Sequence, residues 1–430
     1  MQGRTMSTAE ACLVHPRSSS QEVRTSWPLV SAGTPGLQLS VYHELTDFET
    51  EWRAFEQTAD CTVFQTFDWL HAWQTNIGIK TNTLPAIVSA RGSDGQLLFI
   101  LPLAIRARGM VRELRFLGGS LCDYNGPLLA PAFTSVAGPT FGRVWSDICA
   151  LLQSDARFAH DLVVLDKMPE MVGSQPNPFL QLPTALNPSG AYAMTLSSDW
   201  DTLYAAKRSS ATRRRDRTKR KRLAESGDVQ FVAPSSPAER AALLDTLMQQ
   251  KSRAFVRMGV PNIFAPPGHR EFYFDAVNRA GFQAHVSSLN VGDVCVAANL
   301  GLVFSGRYYH VLASYDDGPL SKFGPGAAHL HELMRYASEN GCDTFDFTIG
   351  DEGYKRDWSD QILILHDHVS AASRKGAAVA GVASTARKIK RGVKQNPFLW
   401  KAVSQGRALV ARLRGRAPVK AHPERPTSDD

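Results

Sequence analysis

The sequence predicts a mixed α/β protein whose mostly antiparallel sheets are flanked by helices and arranged in two successive halves. Three observations predict it. Period-two apolar runs alternate with period-3.6 runs along most of the chain, so strands and helices intermix. Short turn signals join several strands as hairpins, among them Ser93-Asp94-Gly95, Val291-Gly292-Asp293 and Ser305-Gly306. The chain of 430 residues is long enough for two or three domains of ~150 residues, and the Pro/Asn/Gly-rich stretch 174–190 suits a linker.

The elements follow in order. Residues 1–34, rich in Ser, Thr, Pro and Gly, lack periodicity and read as a disordered N-terminal segment. A strand over 37–43 and a helix over 46–57 open the first half; Thr46 caps that helix, and Phe48, Trp52 and Phe55 face inward. The aromatic segment Phe64 to Leu70 comes next, then strands over 84–91, 96–106 and 113–117. A loop through Cys122-Asp123-Tyr124-Asn125-Gly126 leads to a helix over 141–153 and a strand over 160–166. The strand over 191–196 is placed to cross back and complete a sheet.

A helix is predicted over 200–226. It begins with Trp200, Leu203 and Tyr204, and residues 207–222 then hold ten Lys/Arg and one Asp. Basic side chains fall on every face, so the segment must face solvent, where it suits the phosphates of CoA or a nucleotide-linked substrate, anionic lipid, or tRNA. A strand over 229–233, helices over 237–254 and 268–280, and a meander over 283–289, 294–304 and 307–315 follow.

Residues 307–358 organise the chain. The strand 307–315 runs into Ser321-Lys322-Phe323-Gly324-Pro325-Gly326-Ala327 and then a helix with Leu330, Leu333, Met334 and Ala337 on one stripe. Pro325 suits a first helical turn, and the open N–H groups of such a turn favour an anion, typically a phosphate. The next strand, 344–349, puts Phe345, Phe347 and Ile349 on one face and Thr344, Asp346 and Thr348 on the other. Gly350-Asp351-Glu352-Gly353-Tyr354-Lys355 sits at its C-terminal end, where open α/β sheets place ligands. A strand over 361–369 ends the half.

The run Ser314-Tyr315-Asp316, Gly324-Pro325-Gly326, Phe345-Asp346-Phe347, Gly350-Asp351-Glu352, Tyr354-Lys355 and Trp358 resembles the GNAT-type acyltransferase domain of the CelD-like cellulose-biosynthesis proteins. These are distant relatives of the FemABX aminoacyltransferases. The likeness is most specific over 307–358 and extends loosely from about Gln65 to His368. It implies tandem GNAT-like domains: 35–198 without cofactor, 199–369 as the acyltransferase, and 370–430 as a basic helical tail. It implies acetyl-CoA or another acyl-CoA as co-substrate, an amine or hydroxyl of a cell-envelope or exopolysaccharide acceptor, and no metal. CoA is then expected between the strands 307–315 and 344–349, against Leu312, Ala313, Ser314 and the loop Lys322, Phe323, Gly324, Pro325, Gly326, Ala327. One departure is Ser321, which stands where the usual GNAT loop begins with Arg or Gln.

Acyl transfer from a thioester needs the diphosphate held, the carbonyl polarised and the nucleophile deprotonated. His310, grouped by simple alternation with Tyr308, Leu312 and Ser314, titrates near working pH and is a candidate base. Asp346 and Asp316 are alternatives. The resemblance assigns Tyr354 to protonating the leaving thiolate, and substrate contact to Asp123, Tyr124, Tyr315, Asp316, Asp351, Glu352 and Lys355. Two other readings stand beside this one: a FemABX-like transferase fed by aminoacyl-tRNA, and a non-catalytic membrane-peripheral subunit of polysaccharide assembly.

Apolar content of 43% and charged content of 21% fit a soluble globular chain. No apolar run approaches the ~20 residues of a membrane-spanning helix, and the N-terminus lacks a secretory pattern. Cys12, Cys61, Cys122, Cys149, Cys295 and Cys342 form no CxxC, which favours reduced thiols in the cytoplasm. The histidine pairs His366/His368 and His329/His331 lack a third ligand or point apart, so no metal site is expected. The net charge of +7 is concentrated in 207–222 and in 370–430, leaving an acidic body, so nucleic-acid binding by the whole protein is not expected. The tail reads as two helices, 376–394 and 398–414, split at Pro397; a basic amphipathic helix with a tryptophan suits the inner membrane face.

Overall fold

The first half supplies eleven strands and four helices in the computed structural model, which describes residues 29–31 and 36–381. It runs β1 (Leu29–Ser31), β2 (Leu37–Tyr42), α1 (Glu49–Glu56), α2 (Phe67–Trp73), β3 (Thr83–Gly92), β4 (Leu97–Arg108), β5 (Val111–Phe116), β6 (Leu128–Leu129), α3 (Phe133–Val136), α4 (Phe141–Gln153) and β7 (Leu162–Pro169). The short strands β8 (Met171–Val172), β9 (Gln175–Pro176) and β10 (Thr184–Leu186) cross the expected linker and reach β11 (Ala191–Thr195). The second half runs α5 (Trp200–Lys207), α6 (Ser210–Ala224), β12 (Val229–Val232), α7 (Pro237–Met258), α8 (His269–Ala276), β13 (Gln283–Val291), β14 (Val294–Phe304), β15 (Arg307–Tyr315), α9 (Pro325–Glu339), β16 (Thr344–Ile349), α10 (Gly353–Trp358), β17 (Gln361–Leu363) and β18 (Leu365–Ala371).

Turn chemistry sets the sheets. Gly95, Gly292 and Gly306 adopt positive φ in the hairpins that the sequence predicts. The first sheet has the order β1-β2-β3-β4-β5-β7-β18-β10, with β6 beside β4; the second is β12-β13-β14-β15-β16-β11-β17. Each sheet holds one parallel pair, β5–β7 in the first and β15–β16 in the second. Beside each parallel pair lies an antiparallel strand from outside the half: β18 next to β7, and β11 next to β16. The expected halves 35–198 and 199–369 therefore exchange a strand.

Several local expectations change. The helix predicted over 200–226 is two helices: Arg208 is extended, and Ser209 caps α6 by accepting from the Thr212 N–H at 3.2 Å. A capping serine was hidden by the basic run around it. The single strand expected over 361–369 breaks at Ile364, because β17 pairs with β11 in one sheet and β18 with β7 in the other. Thr46 lies inside a short 3-10 turn, Leu45–Phe48, ahead of α1 rather than at a cap. Leu29–Ser31, within the segment expected to be disordered, pairs with β2. The tail helix expected over 376–394 is helical over its described part, up to residue 381; its remainder and the helix expected over 398–414 lie outside the described residues.

The segment Phe64–Leu70 is the seam between the halves. Phe64 meets Tyr124 and Tyr309 edge-on, and Trp69 meets Phe272 and Phe282 likewise. Asp68 accepts from Arg53 at 2.6 Å and from the Gly281 N–H at 2.6 Å. One apolar cluster thus runs from Leu45 and Trp52 through Tyr124 to Leu247, Leu300 and Leu312 without a solvent break. Aromatic anchors of this size hold the two sheets in fixed relation.

Candidate active site

A fork in the second sheet is the central feature. β15 and β16 pair over three residues only: Arg307 with Thr344, Tyr308 with Phe345, and Tyr309 with Asp346. Beyond that point β15 stays on β14 and β16 stays on β11, so the two limbs part. Two devices open the fork. In the β14–β15 register Leu300 faces Leu312 but Gly301 faces His310, which makes Val311 the extra residue of a β-bulge and bends β15. On the other limb Thr348 has φ of 61°, a strained left-handed conformation for a β-branched residue.

Asp346 locks the root of the fork. Its carboxylate accepts from the Tyr124 hydroxyl at 2.7 Å, from Arg307 at 2.9 Å and from the Thr348 N–H at 2.8 Å. It is fully buried. These bonds use its acceptor capacity and also hold Thr348 in its strained turn. Asp346, expected as an alternative base, is therefore placed as a structural tie.

Tyr124 arrives on a loop from the first half. Gly118 and Gly119 turn that loop at positive φ, and Lys167 pins it by donating to the Cys122 carbonyl at 2.6 Å and the Ser120 carbonyl at 3.2 Å. Asn125 ties its far end to β7 through the Lys167 and Asp166 carbonyls. The loop so anchored follows β5 and lies against β7, the first sheet's parallel pair.

The helix α9 begins beside the tip of β15. Gly324 takes φ of 67° and ends a 3-10 turn, Pro319–Phe323. The Gly324 N–H is spent on the Ser321 carbonyl and Pro325 has none, so Gly326 and Ala327 carry the open first-turn amides. That is a smaller set than the whole run 322–327. A Cβ at Gly326 would touch Tyr315 at ordinary contact distance, and Tyr315 is exposed. Lys219 of α6 reaches Gly324, and Arg220 of the same helix lies against His331 and Glu332 of α9. The basic helix therefore borders the mouth of α9.

The titratable groups divide by position. His310 is buried on the α9 side of the sheet, with its ring near Phe345. The bulge at Val311 separates it from Leu312 and Ser314, which face α7; the Ser314 hydroxyl donates to Gln250 there. The shared face expected for His310, Leu312 and Ser314 does not exist, because a bulge shifts the period of two by one. With the Asn299 amide oriented to satisfy its neighbours, its nitrogen donates to His310 Nε2 at 3.1 Å and its oxygen accepts from Tyr308. Burial pushes the His310 pKa down to about 3, with Lys355, His329 and Lys251 adding repulsion.

Asp123 has the opposite character. Burial raises its pKa, against the pull of Lys167, Thr348 and Lys355, yet the residue keeps some exposure. Tyr354 is 39% exposed and its phenol is pushed up by burial and by Glu352. Lys355 is buried, and its ammonium contacts the Ile349 carbonyl at 2.9 Å and Glu352 at 3.2 Å. Asp316 accepts from Arg253 and from the Gly318 N–H, which gives it a role in the turn that follows β15. Asp351 accepts from the Gly190 N–H at 3.4 Å. The sequence reading missed Lys167, Thr348 and the Val311 bulge; only a register shows such features.

A family model described as "Acetyltransferase (GNAT) domain" matches residues 210–356. The chain contains a GNAT-type domain. That match spans α6, the fork and the mouth of α9. Among solved structures, FemX aligns over 74% of this chain and 95% of its own, with 10% identity and a TM-score of 0.52, a likeness of fold. A tandem GNAT protein from the clavulanic acid biosynthesis pathway aligns over 78% and 99%, with 11% identity and a TM-score of 0.43. L-PGS from Bacillus licheniformis aligns over 81% and 96%, with 12% identity and a TM-score of 0.42. No curated protein matches the chain. Among the described residues, no helix is long and apolar enough to cross a membrane, and no cluster of His, Cys, Asp or Glu is arranged to hold a metal ion.

Proposed function

We propose that the chain moves an acyl group from acyl-CoA, with acetyl-CoA as the reference donor, to an amine or hydroxyl. The fork of β15 and β16 over the mouth of α9 carries this reading. Beyond Tyr309 the parted strands leave one edge of β15 without a partner strand, and its backbone groups near Val311 suit the amides of a pantetheine arm. The amides of Gly326 and Ala327, with Lys219 beside them, suit a diphosphate. The loop Gly118–Gly126 lies against the corresponding pair of the first sheet, which supports a first half without cofactor.

The chemistry assigned to the gap is a single acyl transfer. The acceptor nitrogen or oxygen attacks the thioester carbonyl; the new C–N or C–O bond forms and the C–S bond breaks. The acceptor's proton passes to Asp123, and the departing thiolate takes a proton from Tyr354. His310 is too deeply buried for the base, so Asp123 takes the role first assigned to it. The CelD-like resemblance supports an acceptor from the cell envelope or an exopolysaccharide, and the cations of α6 support work at an anionic surface such as the inner membrane face.

Titration of the full chain with acetyl-CoA tests the reading. Ligand at a hundred times Kd should stabilise the protein by about 2.7 kcal/mol and raise Tm. A flat calorimetric trace with no change in melting would sink it.

One observation favours a second reading. Arg214, Arg215, Arg217 and Lys221 of α6 are exposed and make no ion pair among the described residues. Such a row would also suit the backbone of an aminoacyl-tRNA donor. Its binding would then weaken steeply with salt, while acetyl-CoA would leave Tm unmoved.

A further inference from the structure

Two ammonium groups flank the gap, one on each limb. Lys251, on α7, donates to the Ala313 carbonyl of β15 at 3.0 Å. Lys355, on α10, donates to the Ile349 carbonyl of β16 at 2.9 Å. Both influence His310, and Lys355 also bears on Lys251, so the two charges are close enough to oppose each other. Among the described residues Lys251 forms no ion pair. Glu352 acts on both: it pairs with Lys355, and it is itself more than half exposed.

The charge count leaves a surplus. Lys251, Lys355 and Lys167 face Glu352 and Asp123, while Arg307 is matched by Asp346. The two limbs therefore bring two ammonium groups toward Glu352, a carboxylate that solvent screens. Burying an ammonium against one carbonyl and the Phe255 ring is costly, and burial holds the Lys251 pKa below its ordinary value. An alternative without charge was available: methionine would fill the same space beside Phe255. A lysine in that place is repaid when an anion enters the gap.

We propose that the acyl group delivered into the gap ends in an acid, as in the half-thioester of a dicarboxylic acid, and that Lys251 and Lys355 clamp its terminal carboxylate. This rests on the acyl-CoA reading above and narrows its substrate class. The thioester carbonyl would lie between the limbs near Val311, and the acyl chain would turn out of the gap toward α7 and α10, whose ammonium groups would meet its far end. A plain acetyl group has nothing to offer them.

The test uses the full chain and three probes: free CoA, acetyl-CoA and succinyl-CoA, each titrated by calorimetry. Succinyl-CoA should bind about tenfold more tightly than acetyl-CoA. Lys251→Met should bring the two thioesters to parity while free CoA still binds. Lys251→Arg should keep most of the preference, which a lysine acting as a base would not. Lys251→Gln, which retains a donor for Ala313, guards against a variant that fails to fold and should also lose the preference. Equal affinity in the wild type, or a preference that survives Lys251→Met, overturns the proposal while leaving the acyl-CoA reading intact. Failure of all three probes, free CoA included, overturns both.

Discussion

The Tyr124 hydroxyl donates to Asp346 at 2.7 Å, and through that one bond a loop of the first half reaches the root of the second half's forked strands. The phenol and the carboxylate stand 222 residues apart in sequence. Arg307 and the Thr348 N–H complete the shell of the same carboxylate, so the bond fastens the halves together and sets the angle of the fork.

Tyr124→Phe should therefore cost about 1.5–3 kcal/mol, the range for a buried hydrogen bond to a charged group. Asp346→Asn should cost more, because it also weakens the tie to Arg307 and the hold on Thr348. Urea unfolding measures both. A Tyr124→Phe protein as stable as wild type would mean that the bond does not hold the halves.

Gly326→Trp should abolish CoA binding, since a Cβ there already touches Tyr315 and the ring beyond it would cover the amides of Gly326 and Ala327. Lys219→Ala removes a charge but no backbone donor and should weaken binding by roughly tenfold or less, about 1.4 kcal/mol, with a shallower salt dependence. Calorimetric titration at two salt concentrations separates the two effects. Undiminished affinity in Gly326→Trp would remove the diphosphate from the mouth of α9.

Much of this was legible in the residues, and the reason is local. Hairpin glycines, apolar stripes and Pro325 at a first helical turn each act within a few positions, so the meander β13–β15 and the helix α9 follow from them directly. What depended on register did not follow. The bulge at Val311 adds one residue to a strand whose composition is ordinary, and it moved His310 to the opposite face from Leu312 and Ser314. The exchange of β11 and β18 between sheets is likewise a matter of pairing across more than a hundred residues. Ser209 was recognisable in principle as a cap, but the surrounding basic run gave continuous helix propensity.

Acid should destabilise the protein through three buried imidazoles. His285 has its pKa pushed down to about 4, and His310 and His329 to about 3, in each case mainly by burial. Below about pH 6.5 an unfolded chain binds protons that the folded one refuses, so stability is full above that pH and falls as pH drops toward 4. Each group adds a slope of up to about 1.4 kcal/mol per pH unit. Glu56, raised to about 7, opposes them over part of the range, since its stability is present at low pH and lost as pH rises. Asp123, also raised, opposes them likewise, while His71, His160, His269 and His368, all lowered by burial, add to the loss, so melting temperature should decline from pH 6 to 4.5. His310→Asn should flatten that decline; an unchanged slope would mean that His310 is not neutral in the folded state.

Asp123 supplies the last prediction. It sits beside the strained Thr348, and burial keeps its carboxyl protonated to a higher pH than an exposed aspartate. A base must be ionised to work, so kcat/KM should rise with pH through that elevated pKa and then level off. Asp123→Asn keeps the shape of the side chain and removes the proton acceptor. It should lower kcat by about 10²–10⁴-fold, leave the affinity for CoA within a factor of about three, and erase the acidic limb of the profile. Measuring kcat against pH for both proteins decides the matter. If the acidic limb persists in Asp123→Asn, the proton goes elsewhere, and a substrate that enters already deprotonated becomes the better account.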